Sequence, residues 1–163
     1  MTTICSTCRK PKANFKCGVC ELDVCKNCGH FMGPESFSFL RKIPKGLSHN
    51  VYCGPCFDLG VSADLQKYEE TMEKAREIII FSKDETKKTG HLKRKELPYK
   101  VEDCEDKDEA ILRLSFFAVE DGFNCLLDVH VTHRKIIVGS HKKTIFTATA
   151  IPIQIDHSEV REY

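Results

Sequence analysis

The sequence predicts an α+β protein in which a small cysteine-rich module is joined by a linking helix to a β-α-β-β domain. Eight of the ten cysteines form four Cys-x-x-Cys pairs within the first 56 residues. Apolar residues at helical spacing follow the last pair, and the second half of the chain alternates between helical and strand-like periodicity. We therefore expect a cysteine module over residues 1–57, a helix over 58–75, a β-α-β-β domain over 76–156 and a tail over 157–163.

The four Cys-x-x-Cys pairs have the spacing of metal ligands. Two tetrahedral zinc sites need eight ligands, and each pair supplies two thiolates from one tight turn. Since eight thiolates leave no position open to water, we expect two structural Zn²⁺ ions per chain and no catalytic metal. So short a segment has little aliphatic core, and bound metal would stabilise it. The predicted ligands are Cys5, Cys8, Cys17, Cys20, Cys25, Cys28, Cys53 and Cys56.

The shortest interval between the pairs indicates how they share the two ions. The three intervals contain 8, 4 and 24 residues. Only four residues separate the second pair from the third, and pairs so close tend to lie on opposite sides of one hairpin. This favours a cross-brace, in which pairs one and three hold one ion and pairs two and four the other, over sequential pairing. A redox dithiol or an iron–sulfur cluster fits four tandem pairs less well.

Composition argues against several other classes of protein. The N-terminus has no apolar stretch typical of a signal peptide, and no apolar run of about 18 residues occurs, so we expect a cytoplasmic protein in which cysteines bind metal. Residues 1–57 carry eight Lys/Arg against three Asp/Glu, or +5. Two Cys₄ zinc sites, at about −2 each, would leave about +1. The charge of the module therefore does not indicate nucleic-acid binding.

In this spacing, residues 5–56 resemble the FYVE/PHD-type cross-brace zinc fingers, and FYVE fingers in particular. The resemblance implies two zinc ions, but it does not extend to phosphoinositide recognition. The stretch from Asn14 to Cys20 lacks the Arg/His cluster of FYVE fingers, and the chain has no tryptophan. The first interval is also short for a FYVE finger. The Cys-x-His step of RING fingers is missing, which argues against ubiquitin-ligase activity.

The insert over residues 29–52 combines apolar and basic side chains. They are Phe31, Met32, Phe37, Phe39 and Leu40 beside Arg41, Lys42 and Lys45. One interpretation is a recognition loop for a partner or a membrane surface. The other, which we favour, is that the aromatic residues cover the zinc sites and the start of the helix. His30 and His49 lie near the ligands, but eight cysteines leave them no ligand position.

The remaining elements follow from periodicity. Residues 76–82 favour a strand, and the basic stretch 83–100 favours a loop or a partly ordered segment. Residues 107–121 favour a helix, with acidic residues before it and Gly122 at its end. A strand with period two follows, and a turn at 138–140 leads into a last strand over 143–155, where Pro152 suggests an edge or a strand end. The period-two side chains expected on one face are Phe123, Cys125, Leu127, Val129 and Val131, with Leu126 as the exception.

Residues 76–155 resemble the YbjQ-like family of small β-α-β-β proteins, which are often described as heavy-metal binding. The resemblance rests on residues 123–131, after a helix that ends in Asp121-Gly122, and on the strand 145–150. That family oligomerises through its sheets, so the resemblance implies a homo-oligomer that covers exposed strand edges. The isolated Cys104 and Cys125 fit buried, inert thiols better than ligands.

We expect a non-enzymatic adaptor whose partner is a protein, because no catalytic constellation or phosphate-binding loop is visible. One alternative is metal sensing, with a labile site formed by His130, His133 and His141, although a polar outer face explains these histidines more simply. Another is contact with nucleic acid or anionic lipid through residues 83–100 or 31–45. The most basic part, residues 87–95, lacks aromatic residues for base stacking, which favours a solvated loop.

Overall fold

The computed structural model describes residues 3–33 and 35–156, which contain both helices and strands, as an α+β fold requires. The chain divides into two compact units, residues 1–70 and 71–163. The division falls inside the helix Ser62–Glu77.

The first unit is built from two short antiparallel strand pairs followed by helices. Strand β1 (Phe15–Lys16) pairs with β2 (Asp23–Val24), and β3 (His30–Phe31) pairs with β4 (Val51–Tyr52). A 3₁₀ turn over Lys45–Leu47 precedes β4. Helices α1 (Gly54–Gly60) and α2 (Ser62–Glu77) follow.

The single helix predicted over 58–75 is wrong at its start, because two helices are present. Helix α1 begins directly after Cys53, inside the fourth cysteine pair, with a proline in its first turn where proline is well tolerated. The chain breaks at Val61, and Ser62 is the first residue of α2 rather than its N-cap. Helix α1 was not predictable from its residues, because Cys-Gly-Pro-Cys is typical of a turn.

The insert over residues 29–52 forms a small core of its own within the first unit. Phe37 is only 2% exposed, and Tyr52 is fully buried. The backbone N–H of Phe39 bonds the Tyr68 hydroxyl of α2 at 3.3 Å. The favoured interpretation, that the insert covers the start of the helix, agrees with this packing. The core comprises Phe37, Leu47, Tyr52 and Val61, with Met32, Leu40, Phe57, Leu65 and Tyr68 against it.

The second unit is a four-stranded mixed sheet with one long helix. Its elements are β5 (Ile79–Ser82), a 3₁₀ turn (Lys83–Glu85), α3 (Thr86–Thr89), β6 (Tyr99–Cys104), α4 (Lys107–Glu120), β7 (Cys125–Val138) and β8 (His141–Ile153). The strand order is β5-β7-β8-β6. Strand β5 runs parallel to β7, and the other neighbours are antiparallel.

The predicted β-α-β-β order is incomplete, since it lacks β6. Residues 83–100 were expected to be a loop, yet they include the 3₁₀ turn, α3 and the start of β6. In β6 only Val101 and Cys104 are buried. Charged residues at three of the other positions, Lys100, Glu102 and Asp103, suit an edge strand, but they give it the composition of a loop.

Each face of the sheet carries its own core. Helix α4 packs on one face, where Leu114 and Ala118 contact a cluster that includes Leu126 and Ala148. On the other face Leu92, from the stretch predicted to be a loop, packs with Cys125, Leu127, Ile153 and Ile155. The beginning of β7 is therefore buried on both sides.

The regular alternation predicted for β7 is interrupted at Asp128. Its φ of 54° lies in the left-handed region, and the pairing with β8 shifts between Leu127 and His130. Before this bulge Leu126 faces the α4 core, while Cys125 and Leu127 face the opposite core. After it Val129 and Val131 face α4. The predicted common face of Cys125, Leu127, Val129 and Val131 is wrong because one extra residue reverses the pleat.

The acidic stretch ahead of α4 caps the helix, as the sequence analysis expected. Asp106 is the N-cap, and its carboxylate accepts the backbone N–H of Glu109 at 2.7 Å. The Glu109 carboxylate in turn accepts the backbone N–H of Glu105 at 2.9 Å. The first bond satisfies a donor that the first helical turn leaves unpaired, and the second holds the residue before the N-cap against that turn. At the other end Gly122 adopts a φ of 86°, which suits glycine and ends the helix.

Candidate metal centres

The structure gathers the eight clustered cysteines of the first unit into two groups of four. One group contains Cys5, Cys8, Cys25 and Cys28, and the other contains Cys17, Cys20, Cys53 and Cys56. Within each group the Sγ atoms all lie within 4.8 Å of one another. Pairs one and three thus meet, as do pairs two and four, which is the grouping of a cross-brace.

All four Cys-x-x-Cys pairs form turns, and each turn is closed by the same kind of backbone hydrogen bond. In each turn the residue after the second cysteine donates its backbone N–H to the carbonyl of the first cysteine. These bonds run from Arg9 to Cys5 (3.0 Å), Glu21 to Cys17 (3.0 Å), Gly29 to Cys25 (3.0 Å) and Phe57 to Cys53 (2.9 Å). Arg9 and Glu21 adopt left-handed φ values of 62° and 61° to make these bonds. The turns bring both thiols of a pair to the same side of the backbone.

Two equivalent backbone hydrogen bonds join the turns across the chain. Ser6, inside the first turn, donates its N–H to the carbonyl of Asp23 at 2.8 Å. Gly18, inside the second turn, donates its N–H to the carbonyl of Val51 at 2.9 Å. Each acceptor stands two residues before the first cysteine of the third or fourth turn. The two groups are thus assembled on one plan, and main-chain bonds determine which turns meet.

The sulfur positions fit a tetrahedral metal ion. Cys8 Sγ and Cys25 Sγ are 3.8 Å apart, and Cys20 Sγ and Cys53 Sγ are 3.7 Å apart. A zinc–sulfur bond is about 2.3 Å long, so neighbouring sulfurs around tetrahedral Zn²⁺ are separated by about 3.8 Å. Both measured distances join thiols from different turns, where the fold and not the local turn sets the spacing. Each group could therefore hold one metal ion.

The thiols of the first group favour different protonation states. Backbone hydrogen bonds, foremost that from Cys8 and then that from Cys25, lower the pKa of Cys5 to about 6. Side-chain hydrogen bonds, first that with Cys25, raise the pKa of Cys28 to about 12. One thiolate is thus stabilised by the fold, while four thiolates side by side need a cation to balance them.

The second group repeats this division. Burial raises the pKa of Cys17, but backbone hydrogen bonds from Cys20 and Cys53 outweigh burial and bring the pKa to about 6. The hydrogen bond with the Cys53 side chain, followed by burial, raises the pKa of Cys56 to about 12. Cys17 and Cys53 are buried, whereas Cys20 is exposed. Each group thus contains one cysteine whose pKa is lowered to about 6 and one whose pKa is raised to about 12, which supports the same role for both groups.

The two histidines near the cysteines pack against the module and belong to neither group. The His30 ring stacks on Phe57 with centroids 4.1 Å apart and an interplanar angle of 7°. The His49 ring lies directly over Gly18, since a Cβ atom at residue 18 would be 2.3 Å from its Cγ. Sequence reasoning missed this contact, because the two residues are far apart in the chain and glycine carries no pattern.

Cys104 and Cys125 lie apart from the metal-type groups, in the second unit. Both are buried, with 2% and 0% exposure. Burial raises the pKa of Cys104, and it raises the pKa of Cys125 to about 12. Both thiols therefore stay protonated at neutral pH, which agrees with inert core residues.

The three candidate histidines of the second unit are not brought together within one chain. After the bulge, alternation along β7 places His130 and His133 on opposite faces of the sheet, and His141 pairs with Val138 beside the hairpin turn. Among the described residues, the two cysteine groups alone bring three or more His, Cys, Asp or Glu ligand atoms close enough for a metal.

Part of the basic stretch over residues 87–95 packs against the sheet of the second unit. Arg94 donates two hydrogen bonds to the Asp128 carboxylate, from Nε at 2.6 Å and from Nη2 at 3.1 Å. Its Nη1 donates to the carbonyls of Thr89 and Leu92. The predicted solvated loop is therefore right for Lys87, Lys88, Lys93 and Lys95, which are exposed, and wrong for Arg94, which is fixed on the bulge of β7.

Comparison with protein-family models, curated proteins and solved structures finds no match to this chain. The resemblances to FYVE/PHD-type fingers and to the YbjQ-like family therefore stay predictions. No helix among the described residues is long and apolar enough to cross a membrane.

Proposed function

We propose that this protein binds two structural zinc ions and acts as an interaction protein rather than an enzyme. The observation that carries the proposal is the sulfur geometry, in which thiols from different turns stand 3.7 and 3.8 Å apart, as tetrahedral zinc requires. Cys5, Cys8, Cys25 and Cys28 would hold one ion, and Cys17, Cys20, Cys53 and Cys56 the other.

Zinc would stabilise the module and would not activate a substrate. Four thiolates complete a tetrahedral shell, so neither ion would have a position for water or substrate. Structural zinc contributes on the order of 10 kcal/mol to folding in small modules. The chemistry that we propose for the cysteines is metal binding. Each thiol would lose its proton to bind an ion, and each ion would join two turns that are far apart in the chain.

The role in interaction rests on the surfaces that the two units present. In the first unit Phe15 and Phe31 meet edge to face with centroids 4.9 Å apart, yet they are 37% and 48% exposed. In the second unit the β7–β8 hairpin carries Ile137 and Val138, with 76% and 55% exposure. Exposed apolar residues in such positions suit contact with other proteins, including further copies of this chain.

Metal analysis tests the proposal directly. We expect two zinc ions per chain in purified protein by mass spectrometry of the metal, with Cys17→Ser reducing the content to one. Cys104→Ala is the matched control, because Cys104 is buried but belongs to neither group. It should keep both ions. Iron in place of zinc, or two ions in Cys17→Ser, would contradict the assignment.

A further inference from the structure

Strand β7 extends well beyond the strand that pairs with its outer edge. The β5–β7 ladder ends with Ser82 opposite Val129. The chain then leaves the ladder through the 3₁₀ turn Lys83–Glu85, which stays beside β7 and is closed by a 2.8 Å bond from the Ser82 N–H to the Glu85 carboxylate. Strand β7 continues to Val138, paired with β8 along its other edge. Among the described residues, no strand covers β7 on the β5 side beyond Val129.

A cleft with an apolar floor lies beside the start of this uncovered edge. Its volume is about 500 Å³, and Ile111 of α4 and Phe146 of β8 are among the residues that line it. Val129 and Val131 of β7 also line it, as does Ile80 of β5. A strand added to β7 would point into this cleft those alternate side chains that lie beside residues 129–133. The uncovered edge would supply main-chain hydrogen bonds, and the cleft would accept apolar side chains.

The charges around the cleft are mostly positive. Two lysines, Lys83 and Lys107, line it together with one acid, Asp84. Farther along β7 come Arg134 and Lys135, and residues 130–138 contain no acidic residue. Arg134 lies 3.6 Å from Asp103, but both side chains are 71% exposed, so that pair is weak. The charge pattern favours an acidic occupant.

We propose that the uncovered edge of β7 binds an extended acidic segment of a partner protein by strand addition, with apolar side chains of the segment in the cleft. This deepens the proposed function, because it names the chemistry of the partner. A second copy of the chain is disfavoured, since two β7 edges would bring Arg134 and Lys135 against like charges. Nucleic acid is disfavoured because a phosphate backbone would use neither the apolar floor nor the strand edge.

Peptide binding to the zinc-loaded full chain tests the proposal. The probe is a fluorescein-labelled peptide of about eight residues that alternates glutamate and valine, followed by fluorescence anisotropy. We expect saturable binding, and at least about tenfold weaker binding of the lysine–valine peptide. The decisive control is the acidic peptide N-methylated at alternate residues, which keeps its charge but cannot form the ladder. Equal affinity for the methylated peptide would overturn strand addition.

Reversing the charge of one lysine in the cleft tests whether the acidic peptide binds there. Lys107→Glu changes the first residue of α4, where acidic residues are favoured, so the fold is retained. We expect acidic-peptide affinity to fall roughly fivefold. Lys42→Glu, the same change on an exposed residue of the first unit, is the control and should leave affinity unchanged.

Three outcomes would reject the site. They are unchanged peptide binding in Lys107→Glu, tighter binding of single-stranded DNA than of the acidic peptide, and a dimer in sedimentation whose β7 amides are protected from exchange. Zinc content measured on the same samples separates this test from that of the proposed function. Absence of acidic-peptide binding to the unsubstituted protein, with two zinc ions present, would reject the edge site alone.

Discussion

At the scale of single residues, the second cysteine group depends on a glycine that no sequence pattern marks. Gly18 sits inside the Cys17–Cys20 turn, and the His49 ring covers its Cα. A Cβ atom there would lie 2.3 Å from His49 Cγ and 2.5 Å from His49 Cβ. Rotation of the ring cannot relieve a contact with Cβ, so backbone movement would be required.

We predict that Gly18→Ala destabilises the first unit by about 1–3 kcal/mol, because the new methyl group overlaps His49. Denaturant unfolding of the zinc-loaded protein measures this. Gly46→Ala is the matched control, since a Cβ atom at residue 46 has no neighbour within 4 Å. If the overlap is the cause, adding His49→Gly, which removes both the ring and the Cβ atom, to Gly18→Ala recovers part of the loss. A double variant no more stable than Gly18→Ala would show that another contact is responsible.

At the scale of elements, the bulge in β7 decides which side chains face which core. Asp128 occupies the extra position with a left-handed φ of 54°. Its carboxylate is held by Arg94, and both side chains are largely buried, with 21% and 24% exposure. The pairing holds the pKa of Arg94 above its usual range through the hydrogen bond with Asp128. One ion pair thus joins the 87–95 stretch to the sheet.

We predict that Arg94→Met destabilises the second unit by about 2 kcal/mol, since it leaves a partly buried carboxylate unpaired. Asp128→Asn keeps a residue that tolerates a left-handed φ but removes the charge. A double-mutant cycle of these two changes, followed by thermal unfolding, should give a coupling energy of about 1–2 kcal/mol. Lys93→Met, the neighbouring exposed position, is the control and should have little effect. A coupling near zero would mean that the 87–95 stretch is held by the packing of Leu92 alone.

At the scale of the whole molecule, the two units have different sources of stability. The first contains the cysteine groups, whose core cluster consists mainly of the ligand residues themselves, beside the small apolar core of the insert. The second has two apolar cores, on the two faces of its sheet, and neither contains a cysteine of the metal-type groups. Metal should therefore matter to one unit and not to the other.

We predict that a chelator unfolds residues 5–56 while the sheet of the second unit persists. Hydrogen exchange measured by mass spectrometry would show this as loss of protection in β1–β4 with unchanged protection in β7 and β8. Refilling with Zn²⁺ should restore the lost protection. Retained protection in the first unit without metal would contradict a zinc-dependent fold, and joint loss in both units would contradict their independence.

The sequence by itself determined the features that repeat at short range. The Cys-x-x-Cys pairs each form a local turn and the acidic stretch caps α4 locally, so the eight ligands and the helix cap were predictable, and the short second interval favoured the observed grouping. Edge strand β6 and helix α1 were not predictable, because charged residues and a Cys-Gly-Pro-Cys stretch are equally typical of loops.

Only the tertiary structure decided features that depend on residues far apart in the chain. The bulge at Asp128 is paired with Arg94, 34 residues away, and the requirement for glycine at residue 18 follows from His49. The uncovered edge of β7 exists because β5 ends first. Local periodicity contains no information on which distant segment covers a strand or a turn, so these features require the packed molecule.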